Sequence, residues 1–126
     1  MKGKILSVDD SAIVRIMIKK GVETLGYECL EASDGEEALS VLAREFKEVS
    51  LILLDWNMPG MNGMEFLNIV KADARYKGIP VMMVTTESEK ASIVKAIQSG
   101  VANYMLKPFE EEDLKKKIMA CLGGRK

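Results

Sequence analysis

The sequence contains no histidine among its 126 residues, and this absence excludes several kinds of active site. Ser-His-Asp and Cys-His nucleophile systems need an imidazole, and so do His-ligated metal sites. The two cysteines, Cys29 and Cys121, form neither a CxxC pair nor a disulfide framework, which fits a reducing cytosol. Any catalysis must therefore use carboxylates, lysine, tyrosine, hydroxyl groups, the backbone or a hard metal ion.

Long apolar runs and an excess of charge of either sign are also missing. No apolar run is long enough to span a bilayer, and the Met-Lys-Gly-Lys start precedes no signal-peptide core. The 18 basic and 19 acidic residues give a formal net charge of −1, which offers no general attraction for nucleic acid or an anionic membrane. We therefore expect a cytoplasmic protein without nucleic-acid or membrane partners, folded as one domain over residues 1–126.

Five apolar runs alternate with five helical patterns along the chain. The predicted strands cover residues 4–8, 27–32, 50–54, 80–84 and 101–106. Strict alternation of strand and helix indicates an α/β fold, with a parallel sheet covered by helices on both faces. Most of the nine methionines, including Met17, Met82 and Met83, are expected to fill the core.

Capping residues mark where the predicted helices begin. Asp34 is a suitable N-cap for the second helix, and Glu37 is placed to complete a capping box with it. Asn62 and Gly63 open the third helix, and Ser88 caps the fourth. These boundaries leave the residues that directly follow each strand free to form loops at one edge of the sheet.

Polar side chains collect where four of the predicted strands end, namely at Asp9-Asp10, Asp55, Thr85 and Lys107. In a parallel α/β sheet these carboxyl ends lie at the same edge. Three converging carboxylates repel one another unless a positive charge lies between them. Lys107 supplies one such charge, and a divalent cation with oxygen ligands, Mg²⁺ or Mn²⁺, supplies more.

A carboxylate beside such an ion can attack a phosphoryl group and form an aspartyl phosphate. Asp55 is the predicted nucleophile because it lies between the Asp9-Asp10 pair and the Thr85 and Lys107 positions. Lys107 and the cation would neutralise the phosphoryl oxygens, and Thr85 would donate a hydrogen bond. Taken singly, each residue has a structural explanation as a helix cap, a β-former or a solvated lysine. Their joint arrival at one edge favours a functional site.

Four motifs occur in order along the chain: VDDS at 8–11, LLDWNMPGMNG at 53–63, MMVTTE at 82–87 and YMLKPF at 104–109. Together they resemble the receiver domains of two-component signalling, and the stand-alone chemotaxis type in particular. The resemblance implies a doubly wound (βα)5 flavodoxin-like fold with the strand order 2-1-3-4-5. One departure is Thr86, which is bulkier than the family's usual residue there and puts access to Asp55 in question.

The resemblance implies a role for each residue that matches a motif position. Asp55 would accept the phosphoryl group, Asp10 would bind Mg²⁺ directly, and Asp9 would bind it through water. Asn57 would offer its backbone carbonyl to the metal, and Lys107 would pair with the phosphoryl group.

The resemblance also implies a switch and a phosphate lifetime set by neighbouring residues. Thr85 would move to bond the phosphoryl group, and Tyr104 would then swing inward, although it is also compatible with a fixed, half-buried aromatic. Asn57 and Glu87 match positions that tune the lifetime of the phosphate.

The implied partners are those of a signalling protein that catalyses only its own phosphorylation and dephosphorylation. A sensor histidine kinase or acetyl phosphate would donate the phosphoryl group. The face made by helix 4, strand 5 and helix 5 would bind a target such as a flagellar motor switch component, and a phosphatase is a further possible partner. We expect a monomer that can dimerise on phosphorylation.

Other readings of the sequence stay open at this point. A phosphatase of the haloacid dehalogenase kind uses similar groups, but it carries its nucleophile after the first strand and usually a cap domain. A flavodoxin-like FMN module would need a phosphate cradle where Asp9 and Asp10 stand. The chain also suits a receiver trimmed from a larger regulator or a phosphorelay intermediate.

Overall fold

The computed structural model describes residues 3–86 and 90–123, in which β-strands and α-helices alternate. The strands are β1 (Lys4–Val8), β2 (Glu28–Ala32), β3 (Val49–Asp55), β4 (Val81–Thr85) and β5 (Asn103–Leu106). The helices are α1 (Ala12–Thr24), α2 (Gly35–Glu45), α3 (Gly63–Ala72), α4 (Lys90–Gln98) and α5 (Glu111–Gly123). A short 3-10 helix, which the sequence did not predict, precedes β3 at Phe46–Glu48. None of the helices in these ranges combines the length and the hydropathy of a membrane span.

All five strands pair in parallel in the order β2-β1-β3-β4-β5, which confirms the predicted fold and strand order. β1 pairs with β2 on one side and with β3 on the other, so that Leu6 lies opposite both Leu30 and Ile52. The chain reverses its winding direction between β1 and β3, and ligand sites of such sheets lie in the crevice at that point. Asp9 and Asp55 stand at the carboxyl ends of these two strands.

The sheet is buried on both faces, which explains the continuous apolar run of β3. Leu51 and Leu53 belong to the cluster that packs with α1 and α5, whereas Ile52 and Leu54 belong to the cluster that packs with α2 and α3. Alternation along the strand therefore sends apolar residues to opposite faces, both covered by helices. Met82 and Met83 are fully buried in β4, one in each cluster, as predicted.

The prediction that Met17 fills the core is wrong. Met17 is 42% exposed, whereas Ile18 and Val22 of the same helix are at most 1% exposed. Successive helical residues are rotated by about 100°, so the face that turns Ile18 toward the sheet turns Met17 toward solvent. Ile13 and Ile16 are also exposed.

The caps predicted at Asp34 and Asn62 are confirmed, but one side-chain contact predicted beside Asp34 is not. Asp34 accepts a hydrogen bond from the backbone N of Glu37 at 2.8 Å. The carboxylate of Glu37, however, reaches past the N-cap and accepts hydrogen bonds from the backbone N and the hydroxyl of Ser33, so the predicted capping box at Asp34 is wrong. A full capping box forms instead between Asn62 and Glu65 at the start of α3. The predicted cap Ser88 lies outside the described residues.

Ser7 of β1 generates a prediction about stability. Its side chain is fully buried, and its hydroxyl has no hydrogen-bond partner in the described part of the chain. An unsatisfied buried hydroxyl costs free energy that the folded state must offset. We expect Ser7→Ala to leave the free energy of unfolding unchanged or to raise it by up to about 1 kcal/mol, measured by urea denaturation. The exposed Ser40 provides a control as Ser40→Ala, and a clear loss of stability specific to Ser7→Ala would contradict the prediction.

Candidate functional site

Three carboxylates meet at the carboxyl edge of the sheet. Asp9 and Asp10 directly follow β1, and Asp55 is the last residue of β3. One oxygen atom from each carboxylate lies within 4.8 Å of the others. Asp9 and Asp55 are buried at 1% and 4% exposure, whereas Asp10 is exposed. The cluster therefore has two buried oxygen donors and one that faces solvent.

The loop after β3 is held against the site by a close backbone approach at Gly63. The backbone N of Gly63 donates to the carbonyl of Trp56 at 3.1 Å. A Cβ atom at position 63 would lie 2.8 Å from Trp56 Cα and 3.0 Å from the carbonyl oxygen of Asp55. Only glycine avoids these overlaps, and its presence lets α3 begin directly beside Asp55.

Lys107 lies between two of the carboxylates. Its Nζ atom is 2.7 Å from Asp9 Oδ2 and 3.4 Å from Asp55 Oδ1, and its side chain is 14% exposed. The loop that follows β5 thus brings one ammonium group to two of the three carboxylates. Further positive charge would be needed to balance the cluster when all three carboxylates are ionised.

The pKa of Asp55 reflects the excess of negative over positive charge at this site. Burial, and then the negative charge of Asp9, raise the pKa of Asp55 from 3.8 to about 6. Lys107 and the hydrogen bond from the backbone N of Asn57, at 3.4 Å, act in the opposite direction. Because the desolvated carboxylate lacks full compensation, a bound cation at this position would favour its ionised form.

The donor set fits a hard divalent cation. All three groups are carboxylates, which Mg²⁺ and Mn²⁺ accept as ligands, and the exposure of Asp10 leaves room for water molecules in the coordination sphere. The cluster could therefore hold Mg²⁺ through Asp9, Asp10 and Asp55. The carbonyl contact predicted for Asn57 stays a prediction.

Thr85 and Asn57 contact each other beside the carboxylates. Thr85 ends β4 and is fully buried, and Asn57 Nδ2 donates to its Oγ1 at 3.4 Å. Sequence reasoning did not foresee this contact, since the two residues lie 28 positions apart. Thr86 is exposed directly after the strand, and Glu87, the other residue predicted to tune the phosphate lifetime, lies outside the described residues.

Tyr104 is half-buried on β5, at the edge of the sheet. Its ring packs against the cluster on the α2 and α3 side, and Lys117 of α5 places its Nζ atom 5.3 Å from the ring centroid. Tyr104, Phe109 and Lys117 help to line a surface groove of about 380 Å³. The outer surface of α4, β5 and α5 also exposes apolar side chains, among them Val94, Ile97, Leu106 and Met119.

Two further residues hold the loop that carries Asp9 and were missed by sequence reasoning. The backbone N of Ser11 donates to Asp9 Oδ1 at 2.9 Å, and Arg15 Nη1 donates to the carbonyl oxygen of Asp9 at 2.6 Å. The signal for Arg15 in the sequence is its position, since it is a basic residue in the first turn of the helix that follows Asp9 and Asp10. A long side chain at that position points back toward the helix N-terminus.

The chain matches one known protein family over most of its length. The family of the response regulator receiver domain matches residues 5–119. The chain belongs to this family. Its members are signalling receiver domains and not enzymes in the ordinary sense, and this receiver is homologous to chemotaxis response regulators.

Relatives of this receiver match over nearly their full length. The chemotaxis protein CheY1 of Helicobacter pylori is 44% identical over 121 residues, with 95% of this chain and 97% of the relative covered. The chemotaxis protein CheY of Pseudomonas aeruginosa is 44% identical over 116 residues, with 91% and 92% covered. The solved structure of the Vibrio cholerae chemotaxis protein CheY4 superposes with a TM-score of 0.89 at 34% identity, covering 97% of this chain and all of that one.

Family membership also bears on the rival readings. A phosphatase of the haloacid dehalogenase kind and an FMN-binding module are not favoured, because the match to receivers extends over 115 of the 126 residues. The loop after β1 likewise presents Asp9 and Asp10, whose charges oppose the phosphate of a flavin.

The raised pKa of Asp55 predicts that Asp55→Asn stabilises the metal-free receiver at neutral pH. The folded-state pKa of about 6 lies above the ordinary 3.8, so the cost of ionising this carboxylate develops as the pH rises between those values. The variant should exceed the unaltered protein in free energy of unfolding by about 1 to 2 kcal/mol near pH 7.5, after solvent screening, and match it near pH 4. Urea denaturation of both proteins at the two pH values, with a chelator present, measures these differences.

A matched control for this prediction is Asp113→Asn, which removes an exposed carboxylate from the first turn of α5. That variant should show no comparable gain that depends on pH. Equal stabilities of Asp55→Asn and the unaltered protein across the range would show that the Asp55 carboxylate is not held at a cost in the folded state.

Proposed function

We propose that this receiver is a phosphorylation-activated switch that accepts a phosphoryl group on Asp55. The observation that carries the proposal is the position of the Asp55 carboxylate, buried at the end of β3 and 3.4 Å from Lys107 Nζ. The oxygen atoms of Asp9 and Asp10 lie close by. A nucleophile, a cationic partner and a set of metal ligands thus occupy one edge of the sheet.

The transfer consists of one bond made and one bond broken at phosphorus. A carboxylate oxygen of Asp55 attacks, and the bond to the donor breaks: a P–N bond of a phosphohistidine on a sensor histidine kinase, or a P–O bond of acetyl phosphate. The leaving imidazole or acetate takes the electron pair of that bond. Because the pKa of Asp55 is about 6, the attacking carboxylate is ionised at neutral pH.

The surrounding groups stabilise the charge that collects on the phosphoryl oxygens. Asp9, Asp10 and Asp55 would hold Mg²⁺, for which Mn²⁺ could substitute, and the ion would supply positive charge to the site. Lys107 is within reach of Asp55, and it supplies a second cation once its ammonium group turns from Asp9 toward the phosphoryl group. Loss of the phosphoryl group to water returns the carboxylate, so the receiver catalyses only its own modification and its reversal.

The phosphoryl group on Asp55 also provides the switch. A phosphoryl group adds roughly two negative charges and several acceptors at Asp55. The Thr85 hydroxyl would leave its contact with Asn57 to donate to the new oxygens, and the space so vacated would admit the ring of Tyr104. The equilibrium then shifts toward a different surface at α4, β5 and α5. Asn57, and Glu87 in the undescribed segment, are proposed to tune the lifetime of the phosphate.

The proposed setting is chemotaxis in the cytoplasm. The relatives named above are chemotaxis proteins, and 44% identity over nearly their whole length supports a shared pathway. The partners proposed for this chain are a sensor histidine kinase, a target such as a flagellar motor switch component and a phosphatase. The chain would act as a single receiver domain over residues 1–126, monomeric at rest and able to dimerise when phosphorylated.

The experiment that tests the function is intact-mass measurement after incubation with acetyl phosphate. We expect the unaltered protein to gain the mass of one phosphoryl group when Mg²⁺ is present, and not in a chelator. Asp55→Asn should gain nothing under either condition, because the amide oxygen is not a nucleophile. Asp113→Asn, a change at an exposed carboxylate, should form the adduct as the unaltered protein does. A full adduct on Asp55→Asn, or one that forms equally well without metal, would contradict the proposal.

A further inference from the structure

Arg15 joins the loop that carries the acidic pair to the edge strand of the sheet. Its Nη1 atom donates to the carbonyl oxygen of Asp9 at 2.6 Å, and its Nε atom donates to Glu31 Oε1 of β2 at 3.2 Å. Its side chain is only 19% exposed. We infer that Arg15 is a positioning residue that orients the Asp9–Asp10 peptide for cation binding at the phosphoacceptor site. This inference rests on the proposed function.

Fixing the carbonyl of Asp9 fixes the start of Asp10. The peptide group is planar, so a hydrogen bond to the Asp9 oxygen also orients the N and Cα atoms of Asp10. The other backbone group of Asp9 is held as well, since its N atom donates to the carbonyl of Ala32 at 3.0 Å. Asp9 is therefore held from both sides, by β2 directly and by Arg15.

Asp10 depends on this backbone support more than its neighbours do. The side chain of Asp9 is held by Ser11 and Lys107, and that of Asp55 by Asn57 and Lys107. The Asp10 carboxylate is exposed, and among the side chains that the structure describes none holds it by a hydrogen bond or an ion pair. The position from which it reaches a cation is consequently set by its own backbone.

Glu31 makes the support rigid by fixing the guanidinium at a second point. A guanidinium is planar, with its donors in a fixed fork, so bonds at Nε and Nη1 define its orientation. A lysine at position 15 could reach the Asp9 carbonyl with one ammonium group but could not also reproduce the fixed bond to Glu31. Arg15→Lys should therefore keep the charge and only part of the positioning.

The charge of Arg15 and its positioning effect would change the affinity for a cation in opposite directions. As a positive group beside the acidic cluster, Arg15 repels a divalent cation, so its removal would tighten Mg²⁺ binding if charge were its only effect. If positioning dominates, its removal weakens binding. Outer contacts that orient metal ligands typically contribute 10–100-fold to affinity, which exceeds the effect of one screened charge near the surface.

The test is the dissociation constant for Mg²⁺, measured by isothermal titration calorimetry and by Trp56 fluorescence at moderate salt. We expect Arg15→Gln to weaken Mg²⁺ binding by about tenfold and Arg15→Lys by less. Lys19→Gln, which removes an exposed positive charge from the same helix, should stay within about twofold. Thermal unfolding of each variant ensures that binding is measured well below its unfolding transition, so a loss of stability alone would not change the constant.

A second variant keeps the test decisive if Arg15→Gln does not fold. Glu31→Gln leaves the guanidinium in place and weakens its anchor, and it should reduce Mg²⁺ affinity more than Glu36→Gln, which removes an exposed carboxylate from α2. Binding to Arg15→Gln as tight as that to Lys19→Gln, or tighter, would overturn the inference and leave the proposed function intact. Absence of any Mg²⁺ binding by the unaltered protein would instead overturn the proposed function, and the inference with it.

Discussion

The mutual repulsion of three carboxylates at the edge of a parallel sheet is the constraint on which the rest of this site depends. Asp9 and Asp55 are nearly withdrawn from water, and one ammonium group, Lys107, lies against both. The pKa of Asp55 rises because burial and Asp9 together outweigh that lysine. A site with this imbalance favours a bound cation, and an ionised carboxylate beside a cation is suited to attack phosphorus.

The fold supplies the rigidity that holds these charges together. β1 and β3 are neighbours at the centre of the sheet and are covered by helices on both faces, so the backbones that end in Asp9 and Asp55 have little freedom. The loops between strands and helices are fixed by specific contacts, such as the close approach at Gly63 and the hydrogen bond from Arg15 to the Asp9 carbonyl. Groups expected to move, Thr85 and Tyr104, lie farther along the sheet, on β4 and at its β5 edge.

The sequence predicted the fold, and it predicted that Asp9, Asp10, Asp55 and Lys107 would meet at one edge of the sheet, but it did not predict their side-chain contacts. Apolar runs that end in Asp, Thr or Lys place those residues at one edge whatever the details of packing, because strand direction alone decides it. The exposure of Met17 on α1 depends on how that helix packs, and the hydrogen bond from Ser33 to the Glu37 carboxylate depends on a rotamer. Hydrophobic periodicity contains neither kind of information. The sequence also does not show that Lys107 lies closer to Asp9 than to Asp55. The role inferred for Arg15 likewise depends on the distance between its guanidinium and the Asp9 carbonyl.

The carboxylate at the end of β3 is proposed to carry the phosphoryl group. Borohydride reduces an acyl phosphate to an alcohol, so treatment of the phosphorylated protein followed by peptide sequencing in the mass spectrometer marks the residue that carried the group. We expect a reduced residue at position 55, in the peptide that contains Trp56, and none at Asp9 or Asp10. Reduction at either of those two residues, or in no peptide of a protein that had gained the phosphoryl mass, would contradict it.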